Sequence, residues 1–322
     1  ALPSAAAIPP GDPLGAASGP VVIVAVGCPR KPRGVLTLVR AANAPAFSAG
    51  QIAFTQAVAD FLGTAQSLAE SWGQRAEQVR LEQEIQLAAQ IQQQLLPQDS
   101  PSLAGWSLAG GCRTSHAMGG DYFDWIVRDD GSCLVLVADV MGKGMPAAMV
   151  ATILRSTWRA LAGRTEGPGQ LLTDLNGQLS RDLGTLEVFI TAVLVQFSPD
   201  RGRVTYANAG HCALLQRSPS DRAFLAHAVG GPPLGIDPGT RFEETEITVA
   251  RGDSLFALTD GCYEFDRRRG STEGLRLLEG ELRAASDRDA ADVVAPVLRR
   301  LQELASGELP DDCTLVALHR FP

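Results

Sequence analysis

The sequence predicts an α+β fold, in which a strand-rich domain of stacked layers follows a long helix. Three observations predict it. Short apolar runs, separated by Gly, Pro, Asn and Asp clusters, recur from residue 107 to residue 319. Strand candidates and helix candidates each come in groups rather than alternating one for one, which argues against βαβ units. The texture changes at Pro97, where a Gln/Glu-rich stretch of helical period stops.

The elements follow in order. Residues 1–20 are small and Pro/Gly-rich and read as loop or disordered; they lack the basic segment and apolar core of a signal peptide. The chain opens on Ala1 rather than Met, as expected of a piece of a longer polypeptide. Val21–Val26 and Gly34–Val39 are apolar runs across a Pro/Gly-rich turn, and predict a hairpin. After Pro45, the spacing of Ile52, Phe54, Val58, Phe61 and Leu62 predicts a helix. From Thr64 to Leu96 only Gly73 weakens the helical pattern. Its first apolar set, Leu68, Trp72, Ala76 and Val79, is out of phase with its second, Leu81, Ile85, Ala88, Ile91 and Leu95. Such a shift suits a helix that changes partners along its length. The early part either pairs with its copy in a homodimer or is a plain amphipathic linker.

Beyond Pro97, strands are expected at Ser107–Cys112, Tyr122–Val127, Cys133–Ala138, Val188–Phe197, Arg203–Ala207, Cys212–Gln216, Phe242–Val249, Ser254–Leu258 and Cys313–His319. Helices are expected at Met145–Ala162, Gly169–Leu183, Glu273–Ala284 and Asp289–Leu304.

Composition narrows the function. The 322 residues suffice for two domains, and 45% apolar with 20% charged residues is ordinary globular usage. A net charge of −8 speaks against a nucleic-acid partner. No apolar stretch approaches the roughly 18 residues that span a bilayer, so no membrane partner is expected. The six cysteines, Cys28, Cys112, Cys133, Cys212, Cys262 and Cys313, form no C-x-x-C pair and read as buried reduced thiols of a cytoplasmic protein.

Acids at strand ends carry the chemistry. Leu134–Ala138 runs into Asp139, and Leu255–Thr259 runs into Asp260-Gly261. Asp311-Asp312 stands directly before the strand at Cys313, and Gly119-Gly120-Asp121 opens the strand at Tyr122. A lone Asp at such a place is most often a turn or cap residue. Several together repel one another unless cations neutralise them, and oxygen donors suit Mg²⁺ or Mn²⁺. Neighbouring glycines permit tight turns and close backbone approach.

Seven segments make a resemblance specific. They are Ala89–Pro97, Gly119–Asp124, Ala138–Ala148, Tyr206–His211, Pro233–Gly235, Thr259–Gly261 and Asp311–Thr314. In this order they resemble the PP2C-type (PPM) phosphatases, in the branch of the SpoIIE and RsbU phosphatases of bacterial stress and sporulation signalling. The resemblance implies a central β-sandwich flanked by helices over residues 98–322, and two divalent cations, Mn²⁺ or Mg²⁺. Asp139 would bridge both, with the Val140 carbonyl as a further ligand. Asp260 and Asp311 would complete the first cation's shell, and Asp121 would serve the second. Asp139 and Asp121 are thus the expected catalytic pair. Asp312 and Asp124 are expected behind the ligands, Asp124 alternatively only orienting its turn, and Gly120 at the phosphate. Asn208 is expected behind the site, holding its loop through side-chain hydrogen bonds, and Lys143, at a helix start, either meets the phosphate or is an exposed turn residue.

Relatives of the eukaryotic type carry a phosphate-gripping Arg just before the first acid. Here the nearest, Arg113, does not align with it. His211 is either a general acid or, more often for such a turn, a structural residue. The implied reaction is in-line hydrolysis by cation-activated water, without a phospho-enzyme. The implied substrate is a phosphorylated protein, an anti-sigma-factor antagonist. The alternative is an inactive module that kept the fold and acts by binding.

A second, shorter resemblance concerns the N-terminus. Gly34–Arg40 followed by Pro45–Ala65 resembles the end of a GAF sensor domain. The expected organisation is a partial GAF-like α/β segment at 1–63, a helical linker at 64–97 and the phosphatase domain at 98–322.

Overall fold

The computed structural model describes residues 18–27, 33–41, 43–184, 186–199, 202–219, 223–228, 230–266, 268, 270–285 and 289–322. Of the loop expected at residues 1–20, residues 1–17 lie outside the described residues, as do residues 28–32 of the hairpin turn with Cys28, while 18–20 belong to a strand. The chain divides into two compact units, Ala1–Glu84 and Ile85–Pro322.

In the first unit, β1 (Ser18–Val26) and β2 (Gly34–Ala41) form the expected antiparallel hairpin. The strand begins earlier than the sequence suggested, because a register shift between Ser18 and Val21 takes up the irregular start. Pro20 is tolerated there because a two-stranded sheet has only edge strands. Helix α1 (Ala49–Leu95) then starts in this unit and ends in the second. Ser48 and Gln51 cap its start reciprocally: Gln51 N–H donates to Ser48 Oγ at 3.3 Å, and Ser48 N–H donates to Gln51 Oε1 at 3.0 Å. Gly73 does not interrupt it. A side chain there would touch nothing, so its cost is that of propensity alone, about 1 kcal/mol.

The second unit stacks two antiparallel five-stranded sheets between helices. The first sheet has the order β10 (Thr245–Thr248), β7 (Arg203–Ala209), β6 (Ile190–Phe197), β5 (Cys133–Val140), β4 (Asp121–Val127). The second runs β3 (Trp106–Arg113), β12 (Cys313–Arg320), β11 (Ser254–Leu258), β8 (Leu214–Arg217), β9 (Leu225–His227). Helices α2 (Met145–Leu161) and α3 (Pro168–Leu183) cover one sheet, and α4 (Ser271–Ala285) and α5 (Ala290–Leu304) cover the other.

Strand β5 shows why its sequence is apolar throughout rather than alternating. Leu134, Leu136 and Ala138 face the α2–α3 side, while Cys133, Val135 and Val137 face the opposing sheet. Both faces are covered, so both must be apolar. On α2, the buried positions Ala147, Ala148, Val150, Ala151, Leu154 and Trp158 recur at the three-to-four spacing of one helical face.

Strand ends differ from expectation where side chains take the backbone away. Phe242 packs into the α3 side of the core and its N–H bonds Thr173 Oγ1 at 3.1 Å, so β10 begins only at Thr245. Val188 N–H folds back onto Leu186 O at 2.8 Å, closing a turn over 186–188, and β6 begins at Ile190. Strand β8 begins at Leu214 because Asn208 Nδ2 takes the carbonyls of His211 and Cys212. The three-residue β9 was too short to leave a period in the sequence.

One buried carboxylate pins α2 to its sheet. Asp124, fully buried, accepts Tyr122 OH at 2.6 Å, Trp158 Nε1 at 3.1 Å and both arms of the Arg159 guanidinium at 2.7 Å. Asp124→Ala strands these donors and is expected to cost about 3 kcal/mol. Asp124→Asn, which keeps an acceptor, should cost less. Urea unfolding of the two variants checks the order.

Candidate metal centre

Strand register gathers the acids at one end of the sandwich. Asp121 at the start of β4 pairs directly with Asp139 near the end of β5. Residues 133, 135, 137 and 139 share a face, as do 121, 123 and 125, because side chains alternate along a strand. Asp139 and Asp121 therefore extend the two rows that fill the space between the sheets. In the other sheet Leu258, the last residue of β11, pairs with Leu315 near the start of β12. The turn at Asp260 and the acids Asp311 and Asp312 thus lie at the same end of the second sheet.

The two sheets are joined there by threonine. Thr259 Oγ1 donates to Asp121 Oδ2 at 2.8 Å and accepts from Thr314 N–H at 3.0 Å. The sequence reading gave Thr259 no role. Its signal was a hydroxyl, fully buried in the structure, closing the apolar run of β11.

Electrostatics distinguishes the acids. Asp121 is held well above the usual carboxylate range, first by burial and then by the Asp139 charge. Burial, followed by Asp260 and Asp311, pushes Asp139 up to about 7. Asp260 is raised by burial, Glu264 and Asp311. Lys143 sits on the more exposed Asp311, with Nζ 2.7 Å from Oδ2 and 2.5 Å from the carbonyl of Pro310. It is the cation that partly relieves Asp139 and Asp260.

Asp312 adds its charge to those raising Asp121 and Asp139, and its oxygens organise backbone. It accepts Gly120 N–H at 2.7 Å, Ser115 N–H at 2.8 Å and Ser115 Oγ at 3.1 Å. That fixes the loop from which Asp121 emerges. Gly120 is required to be small: a Cβ would stand 2.8 Å from the Val140 carbonyl oxygen and 3.1 Å from Ala147 Cβ. From the other side, Gln92 of α1 clasps the loop, donating to Gly119 O at 2.7 Å and accepting Gly119 N–H at 3.2 Å.

Asn208 and His211 build the floor. Asn208 Oδ1 accepts His211 N–H at 2.7 Å, and His211 Nδ1 bonds Thr191 Oγ1 at 2.8 Å. Burial lowers His211 to about 4, so its imidazole is neutral at pH 7. Asp139, Thr191, His211, Cys212, Asp260 and Tyr263 line an open pocket of about 290 Å³. Arg113 ends β3, exposed, its guanidinium on the Cys112 carbonyl. Asp124 belongs to the α2 contact already described and takes no part in this cluster.

The donor set fits hard divalent cations. Partly buried carboxylates from both sheets, with one lysine among them, leave negative charge uncompensated. Among the described residues, no three His, Cys, Asp or Glu side chains close tightly enough to enclose an ion as they stand. Thr259 and Lys143 hold Asp121 and Asp311 in the spread arrangement.

Comparison with known proteins places this geometry. The family model of stage II sporulation protein E (SpoIIE) matches residues 129–321. The phosphoserine phosphatase RsbU of Bacillus subtilis is 29% identical over 248 residues, 76% of this chain and 72% of that protein. The SiaA-PP2C domain of Pseudomonas aeruginosa superposes with a TM-score of 0.65 at 22% identity, covering 77% of this chain and 99% of that one. The RsbU and RsbW domains of Rv1364c from Mycobacterium tuberculosis superpose at 0.61 with 24% identity, over 69% of this chain and 62% of that one. These structures share the fold.

Two measurements follow from the site. A carboxyl whose folded value is raised favours the fold while protonated, and that contribution is lost as pH rises through about 7. Without metal, stability should therefore fall between pH 5 and pH 8, and Mn²⁺ should raise the melting temperature more at pH 8 than at pH 6. Equal Mn²⁺ shifts at both values would contradict the raised Asp139. Gly120→Ala should weaken Mn²⁺ binding by roughly tenfold or more by crowding the Val140 carbonyl, as read by calorimetry.

Proposed function

The chain belongs to the SpoIIE family of PP2C-type protein serine/threonine phosphatases, and from that premise we propose that its acidic centre holds two divalent cations, Mn²⁺ or Mg²⁺, and hydrolyses a phosphorylated serine or threonine. The observation that carries this reading is the gathering of acids from both sheets at one end of the sandwich, their charge only partly offset by Lys143. Asp139 would serve both cations, Asp260 and Asp311 with the Val140 carbonyl would hold one of them, and Asp121 would hold the other. Bound there, such cations lower the pKa of water and neutralise phosphate oxygens.

The chain's own residues set up that chemistry. Asp312 and Gln92 hold the Gly119–Gly120 loop, so Asp121 is presented without freedom to swing. Gly120 leaves the Val140 carbonyl uncovered. Lys143 neutralises Asp311 and is a cationic side chain beside the centre that would meet an incoming phosphate. Asn208 fixes the turn that carries His211 beside the pocket.

The substrate in this reading is a phosphorylated regulatory protein, an anti-sigma-factor antagonist, in keeping with the similarity to RsbU. Residues 1–63 act as a partial GAF-like sensor segment, and the helix at 64–97 carries its state onward. Leu68, Trp72 and Val79 are about half exposed or more on that helix, which supports pairing with a second copy. No described helix is long and apolar enough to cross a membrane.

Asp139→Ala should lower Mn²⁺-dependent release of phosphate from a phosphoserine peptide more than about 100-fold, with an unchanged circular dichroism spectrum. Wild-type turnover in that variant would sink the mechanism. Removal of residues 1–63 should change the catalytic rate or the mass in solution; identical values for both would reduce this segment to an appendage.

A further inference from the structure

We propose that Cys262 and Cys313 are an oxidisable pair that hydrogen peroxide closes into a disulfide directly beneath the acidic centre. Their sulfurs stand 3.1 Å apart although the residues are 51 positions apart in sequence. Both thiols are free and fully buried. Among the described cysteines this is the pair whose sulfurs touch: Cys133 Sγ meets a carbonyl, and Cys212 Sγ meets Tyr263 OH at 3.2 Å.

The contact is built by the backbone. Gly261 lies so close to the Asp312 carbonyl that no Cβ fits between them. The turn Asp260–Cys262 and the start of β12 are therefore pressed together, and the next residue on each, Cys262 and Cys313, meets its counterpart. A disulfide needs about 2.05 Å between sulfurs. The pair closes by about an ångström, which asks little of the surrounding chain. Closure also gives up the weak bond from Cys262 Sγ to Thr314 O at 3.1 Å.

Burial selects the oxidant. A bulky disulfide cannot reach either sulfur, whereas hydrogen peroxide is small and uncharged. The pocket lined by Cys212, Asp260 and Tyr263 opens beside the turn that carries Cys262. One thiol sulfur attacks a peroxide oxygen, breaking the O–O bond and giving a sulfenic acid and water. The second sulfur attacks the sulfenic sulfur and releases a second water. Two thiols lose two electrons, and both peroxide oxygens end as water.

The resulting bond ties the turn bearing Asp260 to the strand start bearing Asp311 and Asp312. It also encloses α4 and α5 in a covalent loop, which restricts the unfolded chain. The consequence is a staple under the site rather than a distortion of it. Its readouts are covalent and thermal, so it stands or falls apart from the proposed activity.

The test uses the full chain, treated with hydrogen peroxide, blocked with an alkylating agent and mapped by mass spectrometry without reduction. The expected result is one cross-linked peptide containing Cys262 and Cys313, lighter by two hydrogens and opened by dithiothreitol. The melting temperature should rise by roughly 5 °C or more on oxidation and not in Cys262→Val or Cys313→Val. Recovery of both residues as alkylated thiols or sulfinic acids, or a cross-link from Cys262 to Cys212 or Cys112, would overturn the pairing. A cross-link without a thermal shift would overturn the staple.

Discussion

Repulsion among carboxylates is the constraint around which the second unit is arranged. Antiparallel register puts Asp121 opposite Asp139, and the second sheet brings Asp260, Asp311 and Asp312 to the same end. Nothing in an apolar sandwich favours that gathering. It persists because the strands behind it are fully buried on both faces, and their packing outweighs the cost at the rim. The stability of the core and the chemistry of the rim are thus opposed, and in the proposed reading cations would reconcile them.

The polar groups divide the work. Asp121, Asp139 and Asp260 are raised first by burial and then by neighbouring acids. Asp312 and Asp124 spend their oxygens on protein donors instead, the first on a backbone loop and the second on Arg159, Trp158 and Tyr122. Thr259 spans both sheets with a single hydroxyl. The same residue type therefore serves opposite ends according to what surrounds it.

What was legible in the sequence follows from range. The run from Leu134 to Asp139 is local, so an apolar strand that ends on an acid could be read directly. The convergence of Asp121, Asp139, Asp260 and Asp311 was reached through the resemblance, because spacing alone does not tell which strand ends coincide. Asp124 looked like a companion of the site, yet its partner Arg159 lies 35 positions away on α2. The grip of Gln92 on Gly119, across 27 positions, had no local sign among so many glutamines. Strand β10 lost its first residues to Phe242, whose apolar side chain reads the same in a strand as in a loop that plugs the core.

The hairpin between β4 and β5 carries one more consequence. Asp121 and Asp139 face each other only while the two strands keep parity, since a slip of one residue turns a side chain to the opposite face. The hairpin is closed by Arg128 N–H on Ser132 O and Gly131 N–H on Arg128 O, with exposed residues between. Length variation is therefore admissible at that tip and nowhere along the arms. A designer seeking a place to graft a tag or a binding loop has it at 129–131, whereas inserting an odd number of residues within an arm would invert the wiring of the centre.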